Sequence, residues 1–130
     1  TPDTSLTIST TADDVVQCTW YVPFNITIDQ VVVWFGADVS SGDTVQFSIM
    51  SYDIDTSNGS TGGDLSNGTE VAVSPSAITG AGYEQAYYQS LTISSANVDS
   101  GKTITANVKM DGTNADLTIN MQLVYHLRSA

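Results

Sequence analysis

Apolar and polar residues alternate with a period of two along most of the chain, most clearly near the C-terminus. From 115 to 127 every odd position is apolar, from Ala115 to Leu127, and most even positions are polar. Successive side chains of a strand point to opposite faces of a sheet, so this pattern predicts a long strand with one buried face. Residues 103–110 alternate in the same way, and the short segment 111–114 between the two runs predicts a β-hairpin.

Shorter alternating runs predict further strands upstream, each bounded by turn residues. The apolar rows of these strands are Leu6 and Ile8; Val16, Cys18, Trp20 and Val22; Ile26 and Ile28; Val31, Val33 and Phe35; Val45, Phe47 and Ile49; Val71 and Val73; and Tyr83, Tyr87, Leu91 and Ile93. The apolar phase changes from even to odd at Asp29 and Gln30, which predicts a β-bulge or a corner there. Val32 and Trp34 are also apolar, so both faces of that strand are expected to be covered. Residues 51–68 are predicted to form the longest connection between strands.

About eight strands and no long amphipathic helix indicate an all-β chain that forms a single domain over residues 1–130. Long and short connections favour a two-sheet, antiparallel β-sandwich of the jelly-roll type over a closed up-and-down barrel. An immunoglobulin-like sandwich is the main alternative, but it usually carries a Cys pair. Cys18 is the only cysteine, so no internal disulfide can form.

The charge balance narrows the range of partners. The net charge is −11, with twelve Asp and two Glu against three basic residues. An acidic surface repels the phosphate backbone, so nucleic acid is not expected to bind. No apolar run reaches the length of a membrane-spanning helix, and no membrane partner is expected.

Catalytic groups are hard to assemble from this composition. His126 is the only histidine, so zinc sites and Ser-His-Asp catalysis lack parts. Most carboxylates fall in predicted turns, where water keeps them ionised, whereas glycoside hydrolysis needs one acid of raised pKa. The sequence therefore predicts a protein that is not an enzyme.

The segment 51–68 contains the strongest candidate for a metal site. Oxygen ligands occupy relative positions 1, 3, 5 and 12 of a calcium loop, at Asp53, Asp55, Ser57 and Asp64. The glycine of that loop belongs at position 6, but Asn58 stands there and Gly59 comes one place late. Two interpretations remain, a calcium site and a solvated loop; the second is favoured, and no other cofactor is expected.

Two aromatic residues are candidates for contact with a sugar or a neighbouring subunit. Trp34 and Tyr88 lie on the faces opposite the main apolar rows of their strands. Aromatic rings are favoured both at protein interfaces and in sugar-binding surfaces. Alternation instead predicts burial for Trp20, Tyr83 and Tyr87.

Residues 20–50 ("WYVPFNITIDQVVVWFGADVSSGDTVQFSIM") and 100–125 ("SGKTITANVKMDGTNADLTINMQLVY") resemble small jelly-roll domains of virion proteins from tailed bacteriophages. The similarity lies in a Pro-containing strand end, a Gly-Asp turn before a strand, and a final hairpin ending in an aromatic residue. It implies a non-enzymatic capsid decoration protein on the outer surface of the capsid, or a fibre domain. It further implies a homotrimer that binds the major capsid protein or other virion proteins, and it transfers no functional residue.

The alternative function is a carbohydrate-binding or adhesin domain of a phage tail fibre or of a secreted protein. In that case Trp34 and Tyr88 would stack on sugar rings.

Overall fold

The computed structural model describes residues 18–39, 44–54, 65–79, 85–111 and 115–129. These residues form strands and connections, and no helix among them is long and apolar enough to cross a membrane. The all-β prediction is confirmed. The strands are β1 (Cys18–Tyr21), β2 (Ile26–Val39), β3 (Thr44–Ile54), β4 (Leu65–Val73), β5 (Ile78–Thr79), β6 (Gln85–Ser90), β7 (Thr92–Ile93), β8 (Asn97–Val98), β9 (Lys102–Asp111) and β10 (Ala115–Leu127).

The strands are arranged in two sheets, and every described pairing is antiparallel. Sheet A has the order β1-β9-β3-β4-β7, and β5 also pairs with β3. Sheet B has the order β10-β2-β6, and β8 also pairs with β2. This arrangement supports the predicted β-sandwich, whereas the jelly-roll type stays a prediction. The strand predicted at Leu6 and Ile8 lies outside the described residues.

The core lies between the two sheets and is built from the apolar rows that alternation predicted. Phe35 of sheet B meets Phe47 of sheet A, with ring centroids 4.8 Å apart. The buried residues of the core are Val22, Ile26, Ile28, Val31, Val33, Phe35, Val45, Phe47, Ile49, Val71, Ala72, Leu91, Val98, Ile104 and Val108. Most are β-branched or aromatic, which suits side chains on a half-buried pleated surface.

The predicted bulge at the phase change of β2 is confirmed. Val124 of β10 pairs with Gln30, and the next residue, Tyr125, pairs with Ile28, which leaves Asp29 without a partner in the ladder. One extra residue in a strand reverses the side on which the following residues point. Ile28 before the bulge and Val31 after it are therefore both buried in the core.

The predicted hairpin over 103–127 is wrong. β9 pairs with β1 and β3 in sheet A, whereas β10 pairs with β2 in sheet B. The chain therefore crosses from one sheet to the other between these strands. Alternation specifies which side of each strand is apolar, but a hairpin and a crossing between facing sheets both satisfy it.

Two other boundaries differ from the sequence-based expectation. The apolar row over 83–93 is divided between sheets, because β6 belongs to sheet B and β7 to sheet A. The long connection is shorter than 51–68, since β3 continues to Ile54 and β4 begins at Leu65.

Ser74 continues the hydrogen bonding of sheet A where β4 ends. Its buried side chain accepts a hydrogen bond from the backbone N–H of Phe47 (2.8 Å), and its own N–H donates to the Phe47 carbonyl (2.9 Å). Pro75 follows and has no N–H to donate. Ser74 therefore satisfies the backbone of a core residue in the gap between β4 and β5.

We expect Ser74→Ala to lower the free energy of unfolding by about 1–3 kcal/mol, because it leaves the buried N–H of Phe47 without an acceptor. Urea denaturation at one fixed protein concentration measures the change. Ser76→Ala is the matched control, since Ser76 is exposed and only two residues away. Equal stability of the two variants would contradict the role given to Ser74.

Candidate functional site

Trp34 and Tyr88 lie side by side on the outer face of sheet B. They are cross-strand partners on β2 and β6, and their ring centroids are 5.5 Å apart with the planes tilted by 55°. Trp34 is 43% exposed and Tyr88 is 57% exposed. Directly opposed residues of an antiparallel pair share a face, so the pairing register alone brings the two rings together. Two candidates separated by more than fifty positions in the sequence thus form one feature.

Polar side chains of β10 border the ring pair on the other side of β2. Asn120 is the cross-strand partner of Trp34, and Thr118 is the partner of Gly36; both side chains are exposed. A hollow of about 320 Å³ lies beside Gly36; Trp34, Thr118 and Asn120 line it, together with Phe35, Tyr87 and Ile119. We call Trp34, Tyr88, Thr118 and Asn120 the outer patch. It combines two ring faces with an amide and a hydroxyl, and none of its four members is charged.

Both faces of β2 were expected to be covered, with Val32 and Trp34 on the outer face. The expectation is correct at Val32 and wrong at Trp34. Val32 is 2% exposed although it lies on the outer face, whereas Trp34, two residues later on that face, is 43% exposed. The outer face of β2 is therefore buried at Val32 and exposed at Trp34.

The aromatic residues predicted to be buried, Trp20, Tyr83 and Tyr87, differ in how they pack against the core. Tyr87 stacks on Phe35, with centroids 5.1 Å apart and planes 20° from parallel, and it packs against the core. Trp20 is partly buried against the core, and its ring lies 5.3 Å from that of Tyr125. Tyr83 lies outside the described residues.

Asp53, the first residue of the candidate calcium loop, takes part in a cross-strand ion pair. It is the partner of Lys102 in the β3–β9 ladder, and Lys102 Nζ lies 2.5 Å from its Oδ1. Asn67 Nδ2 donates to its Oδ2 at 2.8 Å. Asn67 adopts a left-handed backbone conformation (φ 51°), which asparagine tolerates better than most residues. The hydrogen bonds from Lys102 and Asn67 lower the pKa of Asp53 below its ordinary value of 3.8.

The other three predicted calcium ligands, Asp55, Ser57 and Asp64, lie outside the described residues, so the calcium site stays a prediction. Within the described ranges, no three His, Cys, Asp or Glu side chains come close enough to hold a metal ion. His126 is exposed, as its position on the polar side of β10 predicted. Its Nδ1 lies 2.9 Å from the carboxylate of Asp29, the bulged residue.

Sequence reasoning missed Thr118 and Asn120 as members of the outer patch. Their even positions on β10 marked them as polar and outward. Their proximity to Trp34 depends on the β10–β2 register, which pairs residues more than eighty positions apart. No local signal in the sequence reports that register.

Comparison with known proteins gives no relative: no protein-family model matches the chain, and a search of curated proteins finds no similar sequence. The functional interpretation therefore rests on the geometry of these residues and on the resemblance of the two segments.

Asp53→Asn is expected to lower the melting temperature at pH 7, and the difference from the native chain should shrink as the pH falls through the lowered pKa of Asp53. The pKa of Asp53 is lowered in the folded state, so its contribution to stability is present above the unfolded pKa and is lost as pH falls through the folded pKa. Thermal unfolding between pH 2 and 7 measures this dependence.

Lys102→Met tests whether the effect belongs to the ion pair. The double variant combines Asp53→Asn with Lys102→Met. At pH 7 it should be no less stable than the less stable of the two single variants, because both changes remove the same interaction. Fully additive losses would contradict this assignment.

Proposed function

We propose that this chain is a non-enzymatic structural protein of a virion, which decorates the outer surface of a capsid and acts by burying contact surface. The observation that carries the proposal is the amount of exposed aromatic surface on an acidic protein. Tyr21, Phe24 and Tyr88 are 57%, 48% and 57% exposed, and Trp34 is 43% exposed. Aromatic residues are enriched at protein interfaces, and clustered exposed apolar residues are typical of interaction sites.

The charge supports a position outside the capsid. A chain with a net charge of −11 repels packaged DNA but can approach a protein lattice through its uncharged surfaces. The outer patch is one such surface, because its two rings are flanked by an amide and a hydroxyl. Within this proposal, it contacts the major capsid protein or another virion protein.

Carbohydrate binding is the second candidate function, and the outer patch also favours it. Two exposed rings can stack on sugar rings while Asn120 and Thr118 offer hydrogen bonds to hydroxyl groups. The hollow beside Gly36 lies between these ring and polar groups. This combination suits a fibre or adhesin domain that recognises a glycan.

Capsid binding is tested by sedimentation of the purified chain with capsids of the virus that carries this reading frame, assembled without the chain. We expect saturable co-sedimentation, which Trp34→Ala weakens at least tenfold because it removes half of the ring pair. Thr92→Ala is the control, since Thr92 is an exposed residue of sheet A. A native chain that stays in the supernatant at every concentration would refute the decoration function.

A glycan array tests the second candidate with the same variants. Saturable binding by the native chain, lost in Trp34→Ala and Tyr88→Ala and retained in Thr92→Ala, would establish sugar recognition by the outer patch. The decoration proposal expects no binding to any glycan on the array.

A further inference from the structure

Among the described residues, none covers one side of the sandwich, between β9 and β10. Between β9 of sheet A and β10 of sheet B, the described residues enclose a cleft of about 450 Å³. Trp20, Ile104 and Val108 line it from sheet A, and Ile119, Met121 and Leu123 line it from β10. Ile104 and Val108 are only 4% exposed, so the apolar surface that meets water at the mouth of the cleft lies on β10, where Ile119 is 41% exposed. Such exposure is unfavourable by about 25 cal/mol for each Å².

In the part of the chain that the structure describes, the strand that borders the cleft is also an edge strand. β10 is the last strand of sheet B, and no described strand pairs with its far side. Its thirteen residues contain neither Lys nor Pro, the residues that commonly prevent pairing at an edge. Three of its inward-side residues remain exposed: Ile119 at 41%, Tyr125 at 40% and Leu127 at 63%. Alternation alone had predicted that this face would be buried.

We propose that this open side, formed by the β10 edge and the mouth of the cleft, binds the open side of a second copy of the same chain. The contact covers the apolar side chains of the cleft mouth and provides partners for the backbone groups of the β10 edge. The inference goes beyond the proposed function, because it assigns a self-association surface whether or not the chain binds a capsid.

Charge explains why this side is suited to self-association. Two chains of net charge −11 repel each other, so a contact between copies requires a surface with few uncompensated acids. At the C-terminal end of β10, Asp99 is paired with Arg128 Nη2, and the carboxylate of Asp29 lies 2.9 Å from His126 Nδ1. The cleft-facing residues Ile119, Met121 and Leu123 are uncharged.

The β10 edge offers a long line of contact. A strand of thirteen residues is about 44 Å long. A standard interface buries about 800 Å² on each partner, so the contact must include the side chains at the mouth of the cleft as well as the strand edge. Two copies can meet along their β10 edges, which pairs the edge backbones and removes the same side chains of both copies from water.

Native mass measurement of the purified full chain over a range of concentrations tests the proposal. We expect an oligomer, and we expect Ile119→Asp to weaken association at least a hundredfold because a carboxylate would be buried in the contact. Ile119 is 41% exposed, so the new carboxylate can remain hydrated in the isolated chain. Gln122→Asp is the matched control: it adds the same charge to the same strand, on the opposite face, at an exposed residue outside the outer patch.

Circular dichroism verifies that each variant is folded. If Ile119→Asp does not fold, Leu127→Asp serves instead, because Leu127 is 63% exposed at the end of the same edge. A folded, monomeric Ile119→Asp beside an oligomeric Gln122→Asp supports the proposal. A native chain that is monomeric at every concentration overturns it and indicates that something else covers the cleft. An oligomer that Ile119→Asp leaves intact also overturns it and places the contact elsewhere.

Discussion

The contact between Phe35 and Phe47 is the interaction on which the rest of the structure depends. The two rings come from β2 and β3, which lie inside their respective sheets, and they join the sheets at the centre of the core. Truncation of a buried Phe to Ala typically costs 3–5 kcal/mol. Phe35 also determines what lies on the outside of sheet B, because Trp34 must point the opposite way. Burial of the Phe35 ring thus places the neighbouring Trp34 ring on the outer face.

Within the described ranges, connecting segments close one side of the sandwich, and no described strand covers the other. On the closed side the chain passes from β6 to β7 through buried Leu91, whose N–H donates to the Val31 carbonyl, and Ser94 N–H reaches the Val71 carbonyl in sheet A. On the open side, the ring contact of Trp20 with Tyr125 links the two sheets beside the cleft. The proposed functions use different parts of this arrangement: the outer patch faces a capsid or a glycan, and the open side faces another copy.

The candidate site was predictable in part. The phase of alternation identified Trp34 and Tyr88 as outward-facing, and the phase change at Asp29 identified the bulge. Their meeting as one ring pair, with Asn120 beside them, requires the registers of β6 and β10 on β2. Asp53 illustrates the same limit, because local spacing suggested a calcium ligand and the register places Lys102 opposite it. The ion pair of Asp53 is thus formed with a residue forty-nine positions away in the sequence.

The sequence by itself determined the class of fold, the side of each strand that faces the core, and the acidic, turn-rich surface. These properties are local, since the direction of a side chain depends on its neighbours one and two positions away. Only the tertiary structure decided that β9 and β10 lie in different sheets, that two distant aromatic residues touch, and that β10 is an edge among the described strands. Strand partners are selected by burial and register across the whole chain, and a period of two is compatible with many such pairings.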